Sequence, residues 1–199
     1  MECSPCVSSR LRFLAFWSDS HATQMEWRTL PAEHTTEQRQ LCRFPLDGKW
    51  TKSWDTVCYY NIAAMGFKDK AKSIQGRFAD LSRLHHEKFD AVLCNPPYIP
   101  DVGGRRKLDV ATTAFEPRKA LFVNREAPNI HYEHVLMGLI SGRLLNPDAI
   151  LVFEVCKENA GPISQLMTHH GFEHIGIGRD CNKNCIRTVH GYYTGECMY

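Results

Sequence analysis

Asn95-Pro96-Pro97-Tyr98 is the segment of this chain whose residue types and order bear most directly on chemistry. Asn95 brings a carbonyl acceptor and an amide donor. A residue that precedes proline is driven out of the helical region. Two successive prolines fix two φ angles and remove two backbone donors. The carbonyls at Asn95 and Pro96 are thereby held with no competing N–H beside them. Tyr98 adds a flat face with a polar tip. Two acceptors and an aromatic wall suit a planar –NH2 group, whose N–H bonds go to the Asn95 side-chain oxygen and the Pro96 carbonyl. The nitrogen then faces a methyl donor. Attack on a sulfonium methyl needs alignment more than acid–base help, with the reacting atoms about 3–3.5 Å apart. The competing reading is a stiff turn after a strand.

The flanking elements decide between the two. Phe89–Cys94 is a short apolar run stopped by Asn-Pro-Pro, and reads as a strand buried on both faces. Asp55–Met65 reads as a helix capped by Asp55, with Val57, Tyr60 and Ala64 at helical spacing and Gly66 placed to end it. Lys72–Gln75 is a short strand candidate. The stretch from Ile99 to Asn129 is loop-like. Asn129–Leu145 is a helix, with Val135, Leu136, Leu139, Ile140 and Leu144 on one stripe. Asn146-Pro147-Asp148 is a turn, and Ala149–Val155 is a second buried strand. Ile163–His170 is helical and ends at Gly171, and Phe172–Ile177 and Cys185–Tyr193 read as two further strands. Strands alternating with helices imply a parallel sheet covered on both faces. Ligands in such sheets sit at the carboxyl ends of strands, near a topological switch point, and Asn95 begins at such an end.

Residues 1–54 lack this regularity and form a divergent segment, whereas residues 55–199 carry the α/β pattern. The early segment offers only a short helix around Glu33–Cys42 and a weak strand at Arg43–Leu46. Its first residues contain a short apolar stretch, Leu11–Trp17, but Glu2 and Asp19 count against a transit peptide, and a signal peptide is poorly matched.

The 199 residues suffice for one domain with a sizeable core, burying roughly 70% of the unfolded surface. A hydrophobic fraction of 43% and a charged fraction of 23% are those of a globular protein. No apolar run approaches the ~20 residues of a membrane span. The net charge of +2 is too small for the strongly basic face of a sequence-independent nucleic-acid binder. The odd count of nine cysteines, scattered along the chain, implies a reducing compartment without a disulfide framework.

The segment FDAVLCNPPYIP resembles the fourth-strand motif of the PrmC/HemK family, the N5-glutamine methyltransferases of peptide chain release factors. Further segments match in order: Asn61–Gly76, Glu116-Pro117 with Ala120-Leu121, Leu144–Pro147 followed by ILVFEV with Glu154, then Gly171-Phe172, Arg179-Asp180 and Arg187. The resemblance covers roughly residues 55–193, and the loop after the motif is most similar to mitochondrial, fungal members. It implies a Rossmann-like class I methyltransferase sheet, mostly parallel with an antiparallel last strand and incomplete on its N-terminal side. It further implies S-adenosyl-L-methionine as cofactor, a GGQ-type glutamine of a release factor as acceptor, ribosome association, a mitochondrial or otherwise cytoplasmic setting, and a monomer. Asn95, Pro96, Pro97 and Tyr98 become the catalytic segment, Asp47, Asp80 and Asn95 the cofactor contacts, and Glu154 a structural support near the site. Neither a metal nor a membrane is implied.

The departures from the family fall on the cofactor side. Its glycine-rich turn after the first strand is missing, since the first 50 residues hold a single glycine, Gly48. Asp47 is the candidate for the ribose-binding acid, although its spacing to Asn61 is about two residues long. Arg77 follows Gly76 where an acidic residue is usual, with Asp80 three residues later, and Asn159 stands where the family has Gln. Two explanations compete: a truncated or mis-spliced product with an unrelated N-terminus, or a degenerate homologue that no longer binds the cofactor. The abruptness of the break favours the first, and the chain alone is expected to be weak or inactive. An adenine-N6 methyltransferase of nucleic acids shares the tetrapeptide, but it needs a strongly basic face. An inactive remnant or binding module is the third reading.

Other constellations are weaker. Cys3 and Cys6, and Cys181 and Cys185 with His190, have metal-like spacing but no second pair. His85-His86 read as solvated loop residues, and for the cluster Arg105-Arg106-Lys107 a solvated loop is favoured over contact with a release factor or ribosomal RNA.

Overall fold

The computed structural model describes residues 12–17, 22–28, 60–68, 71–76, 81, 88–101, 118–181 and 184–195. In chain order these form β1 (Arg12–Trp17), β2 (Ala22–Arg28), a helical stretch at 60–64, β3 (Ala71–Gly76), β4 (Phe89–Asn95), β5 (Ile99–Pro100), α1 (Arg118–Leu121), β6 (Phe122–Val123), α2 (Ile130–Ser141), β7 (Leu145–Glu154), α3 (Ala160–His169), β8 (Phe172–Arg179) and β9 (Ile186–Tyr193). The helix and strand expected at Glu33–Cys42 and Arg43–Leu46 lie outside the described residues, as do Asp55–Tyr59 of the following helix.

Seven strands form one sheet in the order β3-β2-β1-β4-β7-β9-β8, and β5 and β6 form a separate two-stranded ribbon. β4 lies between β1 and β7 and is parallel to both. β9 is antiparallel to β7 and β8. β2 is antiparallel to β1 and β3. Hence β1, β3, β4, β7 and β8 share one direction, and β2 and β9 oppose them. The α/β sheet with an antiparallel last strand is as the sequence implies; the reversal of β2 is not.

β1 and β2 are the elements that sequence reasoning missed. Leu11–Trp17 is visible as an apolar stretch, but with no patterned neighbour it had nothing to pair with. The structure pairs it with β4, from Phe13 opposite Ala91 to Trp17 opposite Asn95. It also pairs it with the polar β2, from Arg12 opposite Arg28 to Trp17 opposite Thr23.

One face of the sheet carries the core. Val92 and Cys94 of β4, Leu151 and Phe153 of β7, and Val189 of β9 are buried against Tyr132, Val135, Leu136 and Leu139 of α2 and Ile163 and Met167 of α3. Each fully buried apolar side chain of this size contributes about 1.5–3 kcal/mol. The expected turn at Asn146-Pro147-Asp148 is a bulge inside β7. Phe89 pairs with Leu145 but Ala91 already pairs with Ile150, so these residues leave the ladder. Pro147 has no N–H to give it, and Asp148 takes φ 62°. Asn146 donates from Nδ2 to Asp90 Oδ1 at 2.8 Å, which ties the bulge to β4.

Two helix ends show the same capping hydrogen bonds with different residues. At 60–66, Phe67 N–H reaches the Ile62 carbonyl at 2.8 Å and Gly66 N–H the Ala63 carbonyl at 3.1 Å, with Gly66 at φ 74°. At the end of α2, Leu144 N–H reaches Leu139 O at 2.9 Å and Arg143 N–H reaches Ile140 O at 3.0 Å, with Arg143 at φ 51°. Both are Schellman closures, which favour glycine at the left-handed position. Arg143 occupies that position at a steric cost.

Candidate functional site

β4 delivers Asn95 to the carboxyl edge of the sheet. Its neighbours there are Trp17 at the end of β1 and, across the other ladder, the end of β7. From β1 the chain continues to β2 and β3 on one side, whereas β4 and β7 lie on the other. The order therefore reverses between β1 and β4, which is the switch point where α/β sheets open a crevice. Asn95 is half-buried, Pro96 and Pro97 are buried, and Tyr98 is half-buried. The four residues predicted as the catalytic segment thus lie at and just beyond the carboxyl end of β4.

The segment is held at its exit by the small ribbon. Ile99 pairs with Phe122 and Pro100 with Val123. Arg118 Nη2 lies 2.6 Å from Asp101 Oδ1 and its guanidinium sits 5.6 Å from the Phe122 ring centre. Ala120-Leu121, which the sequence linked to the motif only by resemblance, is thereby placed next to it in space.

Tyr98 is pinned by a second set of contacts. Its hydroxyl donates to Glu154 Oε1 at 3.0 Å. Arg187 Nη2 approaches the same oxygen at 3.4 Å. The strands that carry this pair are locked in register, since Val155 N–H donates to the Arg187 carbonyl at 2.8 Å. Burial pushes the Tyr98 phenol up to about 12, with the charge and hydrogen bond of Glu154 adding to the rise and Arg187 opposing it.

Behind Glu154 lies a buried polar chain. Tyr132 Oη donates to the Glu154 backbone carbonyl at 2.9 Å and accepts from Asn159 Nδ2 at 3.4 Å. Asn159 Oδ1 in turn accepts from the Cys156 N–H at 3.0 Å, closing the turn before α3. Burial drives the Tyr132 phenol well above its ordinary value and raises the Cys94 thiol. Tyr132 was absent from the apolar stripe read in the sequence. Its spacing to Val135, Leu136 and Leu139 was the signal that put it on the buried face. Asn159, noted in the sequence only as a departure from Gln, is a buried hydrogen-bonding joint.

The two carboxylates proposed as cofactor contacts, Asp47 and Asp80, lie outside the described residues, as do Arg105-Arg106-Lys107, His85-His86, Glu116-Pro117 and the Cys3–Cys6 pair. Among the described residues, Cys94, Cys156, Cys181 and Cys185 form no disulfide. Among the described residues no group of His, Cys, Asp and Glu is arranged to hold a metal ion, and no helix is long and apolar enough to cross a membrane.

The link after β1 bears on the methyl donor. β1 pairs with β2 up to Trp17 opposite Thr23, and residues 18–21, Ser-Asp-Ser-His, join the two strands without a glycine. A cofactor cradle made of a glycine turn opening a helix has no place in a connection this short. The described strands β1 and β2, whose ladder ends at Trp17 opposite Thr23, leave no room between them for a cradle of that kind.

No family model matches the chain. It is 25% identical over 124 residues to a "Release factor glutamine methyltransferase" of Clostridium acetobutylicum, covering 62% of this chain and 42% of that protein. It is 24% identical over 102 residues to a "Bifunctional methyltransferase" of Rickettsia prowazekii, and 22% identical over 102 residues to one of Rickettsia typhi. In both, the match covers 51% of this chain and 19% of the relative. The chain therefore spans less than half the length of the curated relatives it matches. The resemblance carried by Asn95–Tyr98 and its flanks is met by this distant similarity: the chain is similar to proteins named as methyltransferases, one of them for release factor glutamine.

Proposed function

We propose that the crevice beside Asn95 takes the side-chain amide of a glutamine in a peptide chain release factor, the acceptor of S-adenosylmethionine-dependent N5-methylation. The observation that carries this reading is the position of Asn95-Pro96-Pro97-Tyr98 at the switch point of the sheet. In this reading the amide N–H bonds go to Asn95 Oδ1 and the Pro96 carbonyl, and Tyr98 walls the pocket. The similarity to a protein named for release factor glutamine methylation supports the choice of acceptor. The methyl donor, when bound, supplies an electrophilic methyl; this chain's residues hold and orient the amide. Because the link from β1 to β2 lacks a glycine turn, transfer by this chain alone is weak or absent.

Titration calorimetry with a release factor carrying a GGQ motif, and separately with S-adenosylmethionine, tests the proposal. Release factor binding should weaken about tenfold or more in Asn95→Ala, the loss of one well-made hydrogen bond to a polar ligand (~1.4 kcal/mol). Binding that is indifferent to Asn95 refutes it. Binding and methylation of DNA or RNA, with none of release factor, puts the adenine-N6 reading in its place.

A further inference from the structure

A cavity lies at the other edge of the sheet, where β4 and β7 begin and α2 ends. Phe89 N–H donates to the Leu144 carbonyl at 2.8 Å. That bond sets the residues just before each, Lys88 and Arg143, beside one another. Both are exposed and both line the cavity, whose volume is about 290 Å³. The rest of the lining is largely apolar. It includes the buried Leu139 and Leu145, Tyr193 of β9, and Pro147, which the β7 bulge lifts out of the ladder with β4. Arg143 takes the left-handed position, φ 51°, that closes α2. Glycine closes such a turn without steric cost, but glycine brings no guanidinium. Among the described residues neither Lys88 nor Arg143 has an ion-pair partner, and no acidic side chain lines the cavity.

We propose that this cavity binds a small carboxylic acid with an apolar body, its carboxylate at Arg143 and Lys88 and its body against Leu139, Leu145 and Tyr193. The volume stands at the lower end of ligand pockets, which run from about 300 to 1,000 Å³, so the ligand is small. A guanidinium meets a carboxylate with two parallel N–H bonds, and an ammonium adds a point charge. Inorganic phosphate would engage the two cations and leave the leucines in contact with water. A hydrocarbon would cover the leucines and leave the cations without a partner. A carboxylate on an aryl or alkyl body uses the whole lining. Between Phe89 and Asn95 β4 advances roughly 20 Å, so a ligand here leaves the crevice beside Asn95 open. The proposal does not depend on what that crevice takes. Because Lys88 and Arg143 are exposed, each ion pair adds a few-fold to affinity and is screened by salt.

The test titrates the full chain, 15N-labelled, with phenylpropionate and with phenylpropionamide, which has the same shape without the charge. Phenylpropionate should move the backbone signals of Leu139, Leu145 and Tyr193, and should bind about tenfold more tightly than the neutral probe. Raising the ionic strength from about 0.1 M to about 1 M shortens the screening length from about 10 Å to about 3 Å and should narrow that gap. Arg143→Gly should weaken phenylpropionate about three- to fivefold and leave phenylpropionamide unchanged. Its melting temperature should hold or rise, so the lost binding is not lost folding. Lys88→Gln in the same chain should remove about a further two- to threefold. Equal affinity for the two probes would mean an apolar cavity that reads no charge, and overturns the proposal. Phenylpropionate binding that survives both substitutions unchanged overturns it as well. So does movement of signals around Asn95 in place of Leu145, or no movement at about 10 mM probe, tenfold above a Kd of about 1 mM.

Discussion

Tyr132→Phe isolates the polar half of the joint beneath the site. The side chain is fully buried. Its ring meets Phe153 edge-on, at 5.1 Å between centroids and 81° between planes. Phenylalanine keeps that contact and nearly all of the volume. Only the hydroxyl is lost, and with it the 2.9 Å bond to the Glu154 carbonyl and the 3.4 Å contact from Asn159 Nδ2. A buried polar group left without a partner costs about 1–3 kcal/mol. The 3.4 Å contact is long for a hydrogen bond and contributes little. The Glu154 carbonyl therefore dominates, and we expect about 1–2 kcal/mol. In a chain of this size that is about 2–4 °C in Tm per kcal/mol. Urea denaturation followed by far-UV circular dichroism measures it, with the midpoint falling and the slope unchanged. Because the Glu154 backbone anchors the carboxylate that pins Tyr98, the same substitution should also broaden the Tyr98 resonance. A loss below about 0.3 kcal/mol, or an unchanged Tyr98 signal, would refute the view that this hydroxyl couples the core to the site.

Three further outcomes are expected. Arg143→Gly relieves the left-handed backbone at the end of α2 (φ 51°) and should stabilise by about 0.5–1 kcal/mol in thermal melts. Gly191→Ala places a Cβ 2.5 Å from Ile175 Cδ1 and 3.3 Å from the Glu173 carbonyl, so it should cost about 1–3 kcal/mol by overpacking; a neutral result would mean that β8 and β9 are looser than described. Burial holds His131 below its ordinary value of 6.5, with the nearby His134 pushing the same way. Its depressed folded pKa means that stability is present above about pH 6.5 and declines as the pH falls through the folded value, because the unfolded chain takes up the proton first. His131→Gln should flatten that acid limb of the stability curve.

The parts of the fold that were legible in the sequence are those where one local signal sufficed. Phe89–Cys94 ended by Asn-Pro-Pro could only be a strand with a stiff exit, and Gly66 could close its helix because the left-handed position asks for glycine. Where the outcome depended on a distant partner, local signals fell short. The apolar stretch that holds β1 (Arg12–Trp17) becomes a strand only through β4, which lies far along the chain. Asn146-Pro147-Asp148 carries the residues of a turn, yet the ladder resumes on the far side with Ile150 opposite Ala91. Glu154 is a charge within the apolar stretch Ala149–Val155 and requires partners where it is buried. The sequence could not say that Tyr98 and Arg187 supply them, because the three side chains come from widely separated parts of the chain, the link after β4, β7 and β9. Asp47 and Asp80 lie outside the described residues, so the cofactor side of the site rests on resemblance alone.

The pairing of β1 with β4 also governs the order in which the molecule can assemble. β7, α3, β8 and β9 follow one another directly and close short loops. β1 must search across the whole stretch from residue 18 to residue 88 before Phe13 can meet Ala91. Closing a long loop is entropically costly and slow relative to local contacts. The C-terminal sheet with α2 and α3 should therefore be present in the folding transition state, and the β1–β2 hairpin should dock afterwards. Since Trp17 and Asn95 are partners in that last ladder, the crevice beside Asn95 is completed only in the final step of folding, and it is the first feature lost when the chain begins to open.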